Sequence, residues 1–202
     1  MVEEAPAPAV SRRDELLELA ATMFAERGLR ATTVRDIADS AGILSGSLYH
    51  HFSSKEEMVD EVLRGFLDWL FERYEQIAAG EANPLERLKG LFMTSFEAIE
   101  DRHAQVVIYQ DEAKRLAGQE RFSYVEERNQ EQRKMWLDLL DQGVKEGYFR
   151  PDIDVDLVYR FIRDTTWVSV RWYQPGGPLT AEQVGRQYLS IVLGGITKEG
   201  VE

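Results

Sequence analysis

The chain has 202 residues, of which 44% are hydrophobic and 10% aromatic, and this composition excludes global disorder. It contains no cysteine, which excludes disulfides, thiolate catalysis and zinc sites built from thiolates. The formal net charge of −12 argues against a nucleic-acid partner unless the acidic residues are unevenly distributed, because lysine and arginine dominate phosphate binding.

The distribution of charge removes this objection. Residues 11–55 contain six basic and six acidic residues, so this segment has no net charge. Residues 56–202 contain 18 basic and 28 acidic residues and carry −10, and Glu3 and Glu4 supply the remaining −2. A DNA-binding face is therefore compatible with residues 11–55, with weak non-specific affinity for DNA.

Residues 1–10 are rich in proline and alanine, and we expect them to form a disordered tail. They contain Glu3 and Glu4, whereas a signal peptide begins with basic residues. No apolar run approaches the ~18 residues that a bilayer span requires. The sequence therefore predicts a cytoplasmic protein without a membrane partner.

Three residue pairs near the start of the chain indicate helix starts. In a capping box, a Ser or Thr caps the first turn and a residue three positions later bonds back to it. The pairs are Ser11 with Asp14, Thr33 with Asp36, and Ser53 with Glu56. The first helix should end at Gly28, because glycine readily adopts the left-handed conformation that closes a helix.

The next stretch has the pattern of two short helices joined by a turn. Ile37 and Ala38 belong to a first apolar face, Gly42 interrupts the spacing, and Leu48 and Phe52 share a second face. This order is typical of a helix-turn-helix, whose second helix enters the major groove of DNA. The alternative is an ordinary elbow between two helices of an all-helical protein.

The candidate DNA-contacting residues surround the second of these helices. They are small, polar or basic, and none carries a negative charge. They are Thr33, Arg35, Ser45, Gly46, Ser47, Tyr49, His50, His51 and Lys55. We expect Tyr49 and Lys55 to contact phosphates.

The rest of the chain shows helical periodicity in long segments separated by glycine and proline. The predicted helices span residues 55–79, 84–99, 122–147, 154–173 and 180–196. Asp154 or Asp156 should cap the fourth, and Thr180 with Gln183 the last. Residues 106–109 form a short apolar run for which periodicity alone allows a strand or a helix.

Two arginines and two aromatic residues recur at steps of four, which places Tyr159, Arg163, Trp167 and Arg171 on one side of a largely apolar helix. One hypothesis is structural, with the arginines paired to Asp164 or to acids on neighbouring helices. The other is a pocket for a large anionic ligand, since guanidinium binds phosphate and carboxylate while indole packs against a flat ring. The residues alone leave both open.

The last predicted helix carries an apolar face that a second copy of the chain could bury. The candidate dimer-interface residues are Val184, Tyr188, Ile191, Val192 and Gly195.

No sequence motif indicates an enzyme. Phosphate-binding glycine motifs, a Gly-x-Ser-x-Gly elbow and a His-Glu-x-x-His pair are all missing. Of the three histidines, two are adjacent and His103 stands alone, so we expect no metal site, no catalytic residues and no cofactor.

Two stretches resemble the TetR family of bacterial transcriptional regulators. They are ATTVRDIA at residues 31–38 and LYHHFSSKEE at residues 48–57. The resemblance implies an all-α protein with a helix-turn-helix domain over residues 11–55 and a ligand-binding and dimerisation domain over residues 56–202. It also implies a homodimer that binds a palindromic operator, and it favours a helix for residues 106–109.

Two further segments narrow the resemblance within that family. YRFIRDTTWVSVRWY and IVLGGITKEG resemble actinobacterial members that repress cholesterol-catabolism genes and are released from DNA by a CoA thioester. The resemblance implies a CoA-thioester effector that contacts Arg163 and Trp167. The full set of candidate ligand-binding residues is Arg163, Trp167, Arg171, Tyr159, Tyr109 and Phe66.

Two alternative functions remain. One is a TetR-type repressor of efflux or other metabolism that answers to a neutral hydrophobic ligand, and the other is a helical acyl-CoA-binding or interaction protein that binds no operator. The recognition helix also departs from the family pattern. Leu44 stands where most members have Ser or Thr, and Ser45 where many have Lys, so Ser45 becomes the candidate helix cap.

Overall fold

The computed structural model describes residues 11–116, 118–198 and 200, so the predicted tail of residues 1–10 lies outside the described residues. Within the described ranges the chain forms nine α-helices and no named strand. The predicted all-α fold is confirmed.

The helices form two compact units that divide between Val62 and Leu63. In chain order they are α1 (Arg12–Arg27), α2 (Val34–Ser40), α3 (Ser45–Tyr49), α4 (Lys55–Ala78), α5 (Pro84–Asp101), α6 (His103–Leu116), α7 (Ser123–Lys145), α8 (Val155–Val168) and α9 (Ala181–Ile196). The division falls inside α4, whereas the domain boundary expected from the sequence is the start of that helix. Residues 106–109 lie within α6, as the family resemblance implied.

Side-chain caps begin several of these helices where the sequence predicts them. Ser11 and Thr33 each accept a hydrogen bond from the amide three residues later, at 3.2 Å in both cases, and each forms a complete capping box. Thr180 forms the same box at the start of α9. Asp154, rather than Asp156, caps α8.

The cap of α4 differs from the prediction. The Glu57 amide donates to Ser54 Oγ at 3.1 Å, and the Glu57 carboxylate accepts from the Ser53 amide at 2.6 Å. Ser54 therefore takes the role expected of Ser53, and Glu57 takes the role expected of Glu56. The serine half of the box therefore lies one residue later than predicted, whereas the return bond still comes from the Ser53 amide.

α5 is the central helix of the second unit and packs against α6, α7, α8 and α9. Its fully buried apolar residues include Leu88, Leu91, Phe92 and Ile99. Phe96 of the same helix lies close to Gly185 of α9, where a larger residue would have to displace the ring.

α8 is shorter than predicted, and this changes the position of Arg171. The α-helix ends at Val168, and Ser169–Arg171 form a 3-10 turn instead of continuing to Tyr173. Ser169 Oγ donates to the Thr166 carbonyl at 2.5 Å, a local bond that competes with the regular helical pattern. Arg171 is therefore not on the same α-helical face as Arg163.

Candidate DNA-binding surface and ligand cavity

α2 and α3 are joined by a tight turn at Gly42. This glycine has a φ of 68°, which favours glycine over residues with a side chain, and the next amide, of Ile43, donates to the Ala38 carbonyl at 3.0 Å. Ile37 and Leu48 are completely buried. The observed geometry is therefore the predicted helix, turn and helix.

α3 presents small and polar side chains to solvent. Gly46, Ser47 and His50 are exposed, and Tyr49 is 54% exposed, although its ring is large and partly apolar. Ser45 and His51 are half-buried at the edges of this surface. No side chain of α3 carries a negative charge, so this surface can approach DNA.

The start of α3 has no side-chain cap among the described residues. Leu44 occupies the cap position and is 80% exposed, and Ser45 is the first residue of the helix. Ser45 therefore does not take over the capping role that the sequence assigned to it.

Thr33 and Arg35 lie near the start of α2. The Thr33 side chain is occupied by the capping box with Asp36, although the residue remains exposed. Arg35 is almost fully exposed, and its Nε is 3.7 Å from Asp39. Such exposed ion pairs contribute little to stability. Arg35 can therefore reorient towards a phosphate at little cost.

Lys55 is engaged inside the protein. Its ammonium donates to the Leu29 carbonyl at 2.7 Å and to the Thr32 carbonyl at 3.0 Å. These bonds hold the loop between α1 and α2, so the expected phosphate contact by Lys55 is corrected to a structural role.

A cavity of about 830 Å³ lies in the second unit between α6, α7, α8 and the 3-10 turn after α8. Three guanidinium groups, three carboxylates and three aromatic rings line it. These side chains belong to Arg133, Arg163, Arg171, Asp111, Glu126, Asp164, Tyr109, Tyr159 and Trp167. The charges of the lining are balanced, and each arginine has a carboxylate within 4 Å.

The geometry of Arg163 is compatible with both hypotheses that the sequence left open. It lines the cavity, and its guanidinium is 2.7 Å from Asp164, which raises the pKa of the guanidinium above its ordinary value. The guanidinium also lies 5.7 Å from the centre of the Tyr159 ring. Arg171 reaches the same cavity from the 3-10 turn and is 3.4 Å from Asp111.

The aromatic part of the wall is tightly packed. Trp167 is buried and makes edge contacts with Phe66 and Tyr109, with ring centres 6.4 Å apart in both pairs. Phe66 lies behind this wall rather than on it, so its expected contact with a ligand is corrected to support of Trp167. Burial raises the pKa of Tyr109 and of Tyr159 above the ordinary value, so both remain neutral phenols at physiological pH.

The candidate dimer residues of α9 divide between two faces. Val184 and Val192 are buried within the chain itself, on the side that packs against α5, and are removed from the expected interface. Tyr188 is half-buried against the Phe96 ring, with centres 5.6 Å apart. Ile191, at 61% exposure, and Gly195 lie on the outer face.

α8 has an outer apolar face that the sequence analysis did not single out. Leu157, Phe161 and Val168 are exposed on it, and Trp172 follows after the 3-10 turn. Their spacing of four and seven residues is helical, so the signal was present in the sequence. The opposite side of the same helix carries Arg163 and Trp167, which line the cavity.

Along the described residues, no helix combines the length and apolar character that crossing a bilayer requires. The same part of the chain contains no cluster of three or more histidine, aspartate or glutamate side chains able to hold a metal ion.

Both halves of the chain match known families. Residues 16–62 match the bacterial regulatory proteins of the tetR family, and residues 81–196 match the family described as tetracyclin repressor-like, C-terminal domain. The chain belongs to the TetR family. The TetR assignment covers the helix-turn-helix as well as the part that contains the cavity.

Individual relatives of this TetR protein are similar over nearly the whole length. The chain is 83% identical to the HTH-type transcriptional repressor KstR2 of Mycobacterium tuberculosis over 191 residues, covering 95% of this chain and 96% of that protein. It is 62% identical to KstR2 of Rhodococcus jostii, covering 92% and 91% of the two chains. The solved structure of the ketosteroid transcriptional regulator KstR2 of Mycobacterium tuberculosis superposes with a TM-score of 0.93, at 80% identity and over 97% of this chain and 100% of that chain.

The chain is accordingly a TetR-type transcriptional repressor and not an enzyme. TetR-family repressors bind operator DNA, typically as dimers.

Proposed function

We propose that the chain is a ligand-released repressor of genes for steroid ring catabolism, such as that of cholesterol, and that its effector is a CoA thioester of a ring-degradation intermediate. The steroid part of this proposal is supported by the similarity to one solved structure described as that of a ketosteroid transcriptional regulator. The thioester part is supported by the chemistry of the cavity.

One observation carries the proposal: Arg163 and Trp167, one helical turn apart on α8, line the same cavity. The volume of about 830 Å³ lies within the range of about 300–1,000 Å³ that is typical of small-molecule sites. The half-exposed guanidinium of Arg163 suits an anionic or carbonyl group, and the buried indole suits a ring system.

The ion pairs of the cavity favour an anionic ligand over a neutral one. Arg163 and Arg171 are paired with exposed carboxylates of Asp164 and Asp111, and exposed pairs contribute little to stability. A ligand phosphate can displace such a carboxylate at small cost, because it offers a stronger acceptor in the same place. A neutral hydrophobic ligand would gain nothing from these two arginines.

For operator binding we propose the exposed surface of α3 together with residues near its edges. Gly46, Ser47, Tyr49 and His50 would face the major groove, flanked by Thr33, Arg35, Ser45 and His51. In this proposal residues 11–55 form the DNA-binding domain and residues 56–202 form the ligand-binding and dimerisation domain.

For the dimer we propose the outer faces of α8 and α9. They expose Leu157, Phe161, Val168 and Ile191, apolar residues that a partner surface could cover. A two-fold interface would cover these residues and fix the separation of the two α3 helices for a palindromic site.

The test of the ligand proposal is an Arg163→Met variant. A charge-assisted hydrogen bond is worth about 1.5–3 kcal/mol, so release from the operator should require roughly ten to a hundred times more thioester. Operator affinity and melting temperature should stay unchanged, because the Asp164 pair is exposed.

The matched control is Lys134→Met on α7, which removes a positive charge that does not line the cavity. Trp167→Ala should also impair release, by removing the flat surface for the ring system. Normal release by an Arg163→Met protein that melts much earlier would mean that Arg163 is structural.

A further inference from the structure

A second, much smaller chamber lies directly behind the wall of the ligand cavity. Its free space is about 10 Å³, close to the minimum that holds one water-sized group. Gln132, Tyr159, Arg163 and Trp167 line both the chamber and the cavity. The chamber is therefore separated from a ligand in the cavity only by the side chains of this shared wall.

Two buried polar atoms of residues that line the chamber are unsatisfied. Trp136 Nε1 and Thr166 Oγ1 have no hydrogen-bond partner anywhere in the described part of the chain. Buried polar atoms almost always have partners in folded proteins. Two such atoms at one small chamber therefore indicate that a partner from outside the chain belongs there.

Ser95, which also lines the chamber, already has partners of its own and bonds to neither of the two free groups. Ser95 Oγ donates to the Leu91 carbonyl at 2.9 Å, and the Tyr74 hydroxyl lies 2.6 Å from Ser95 Oγ and donates to it. Thr165, the neighbour of Thr166 in α8, donates instead to the Phe161 carbonyl at 2.7 Å.

The chemistry of the two unpaired groups specifies which kind of partner they require. An indole N–H can only donate, and a threonine hydroxyl can donate at the same time. Two donors at one chamber suit a single acceptor oxygen with two lone pairs. A carbonyl oxygen has this property, and a chamber of this size admits one such atom.

We infer that Trp136 and Thr166 form a recognition site for a ketone oxygen on the ring system of the effector. This inference rests on the proposed function, because it places the ring system of the thioester against Trp167. It adds a rule of selectivity: thioesters that bear a ketone at the matching ring position bind more tightly than the same thioesters without it. A site built for a hydrogen bond discriminates against a ligand that leaves its polar groups unpaired.

The experiment uses the full-length protein and a set of CoA thioesters of one fused-ring carboxylic acid, each with a single ketone at a different ring position, together with the ketone-free thioester. Affinity is measured by calorimetry and by release of bound operator DNA. For the wild-type chain, at least one ketone isomer should bind about ten times more tightly than the ketone-free compound.

In Thr166→Val, which keeps the shape and removes the hydroxyl, this ratio should fall to near one. Trp136→Phe, which keeps an aromatic ring and removes the N–H, should reduce it as well. Thr165→Val is the matched control on the same helix and should keep the wild-type ratio, because the Thr165 hydroxyl bonds to its own helix.

Three results would overturn the inference. A wild-type chain that binds every isomer no better than the ketone-free thioester has no ketone site. A ratio that persists in Thr166→Val would place the ketone site elsewhere. A ligand-free Thr166→Val protein that melts well below the wild type would assign the chamber to a structural water. Failure of all the thioesters to bind would instead remove the proposed function, and the inference with it.

Discussion

At the scale of single residues, the Lys55 ammonium joins the start of α4 to the loop between α1 and α2. It donates to the carbonyl groups of Leu29 and Thr32, and the side chain is half-buried. Both carbonyls are otherwise at the end of α1 and ahead of α2, where the helices leave them without helical partners. Lys55 therefore fixes the start of α4 to the loop between α1 and α2.

We expect Lys55→Met to lower the free energy of unfolding by about 1–3 kcal/mol, because two charge-assisted bonds to buried carbonyls are lost. The salt dependence of operator affinity should stay unchanged. Denaturant unfolding and operator titrations over a range of salt concentrations measure the two quantities. The control is Arg30→Met, which removes an exposed positive charge nearby and should leave stability unchanged.

A Lys55→Met protein of normal stability whose salt slope falls by about one unit would contradict this assignment and restore the phosphate contact.

Local rules predicted three capping boxes but not the starts of α3 and α4, and they predicted the long-range partners poorly. The capping boxes at Ser11, Thr33 and Thr180 depend only on residues three positions apart, so the sequence contains all the information. The partners of Lys55 lie 23 and 26 residues earlier in the chain, and no local pattern indicates them.

At the scale of helices, the contact between α7 and the segment that follows it depends on a glycine. A Cβ at Gly143 would overlap the ring of Phe149, which is completely buried. Backbone hydrogen bonds hold the two segments together at this contact, since the Tyr148 and Phe149 amides both donate to the Gly143 carbonyl. A helix that would otherwise lose stability from an interior glycine gains a close packing contact in return.

Gly143→Ala should lower the free energy of unfolding by about 1–3 kcal/mol through overpacking. Gly65→Ala in α4 is the matched control, because a Cβ there meets nothing within 4 Å and the change should be neutral or stabilising by about 0.5–1 kcal/mol. Denaturant unfolding of both variants measures the difference. Equal stability of the two proteins would mean that the Phe149 ring moves aside freely.

Periodicity predicted most of the helices but not every end. It identified α4, α5, α7 and α9 because each carries a long apolar stripe. It missed the end of α8, because the Ser169 side chain ends the helix by bonding to the backbone within an otherwise continuous pattern. Residues 106–109 needed the family resemblance, since four residues are too few to distinguish the two periods.

At the scale of the whole molecule, the outer faces of α8 and α9 form the proposed dimer interface. The sequence predicts apolar residues on α9 but does not show which of them are buried in the core of the same chain. Val184 and Val192 pack against α5, and Ile191 remains exposed. The same limitation hid the small chamber at Trp136 and Thr166, because residues from three helices, α5, α7 and α8, enclose it.

We expect Ile191→Glu and Phe161→Glu each to give monomers that no longer bind the operator. Each substitution occurs in both subunits of a two-fold dimer, so two unpaired negative charges would be buried in the interface. Gln76→Glu, an added charge at the exposed end of α4, is the control and should leave the dimer intact. Sedimentation and operator titration of the same samples measure both effects. An intact dimer in both variants would place the interface elsewhere.

The most direct measurement is the fluorescence anisotropy of a labelled operator fragment bound to the wild-type chain and titrated with a ring-bearing CoA thioester. We expect saturable release by the thioester, whereas free CoA and the free ring acid, each offering only half of the contacts, should require more than about ten times the concentration. A complex that stays intact at saturating thioester, or that is released equally well by a neutral hydrophobic compound, would contradict release by a CoA thioester.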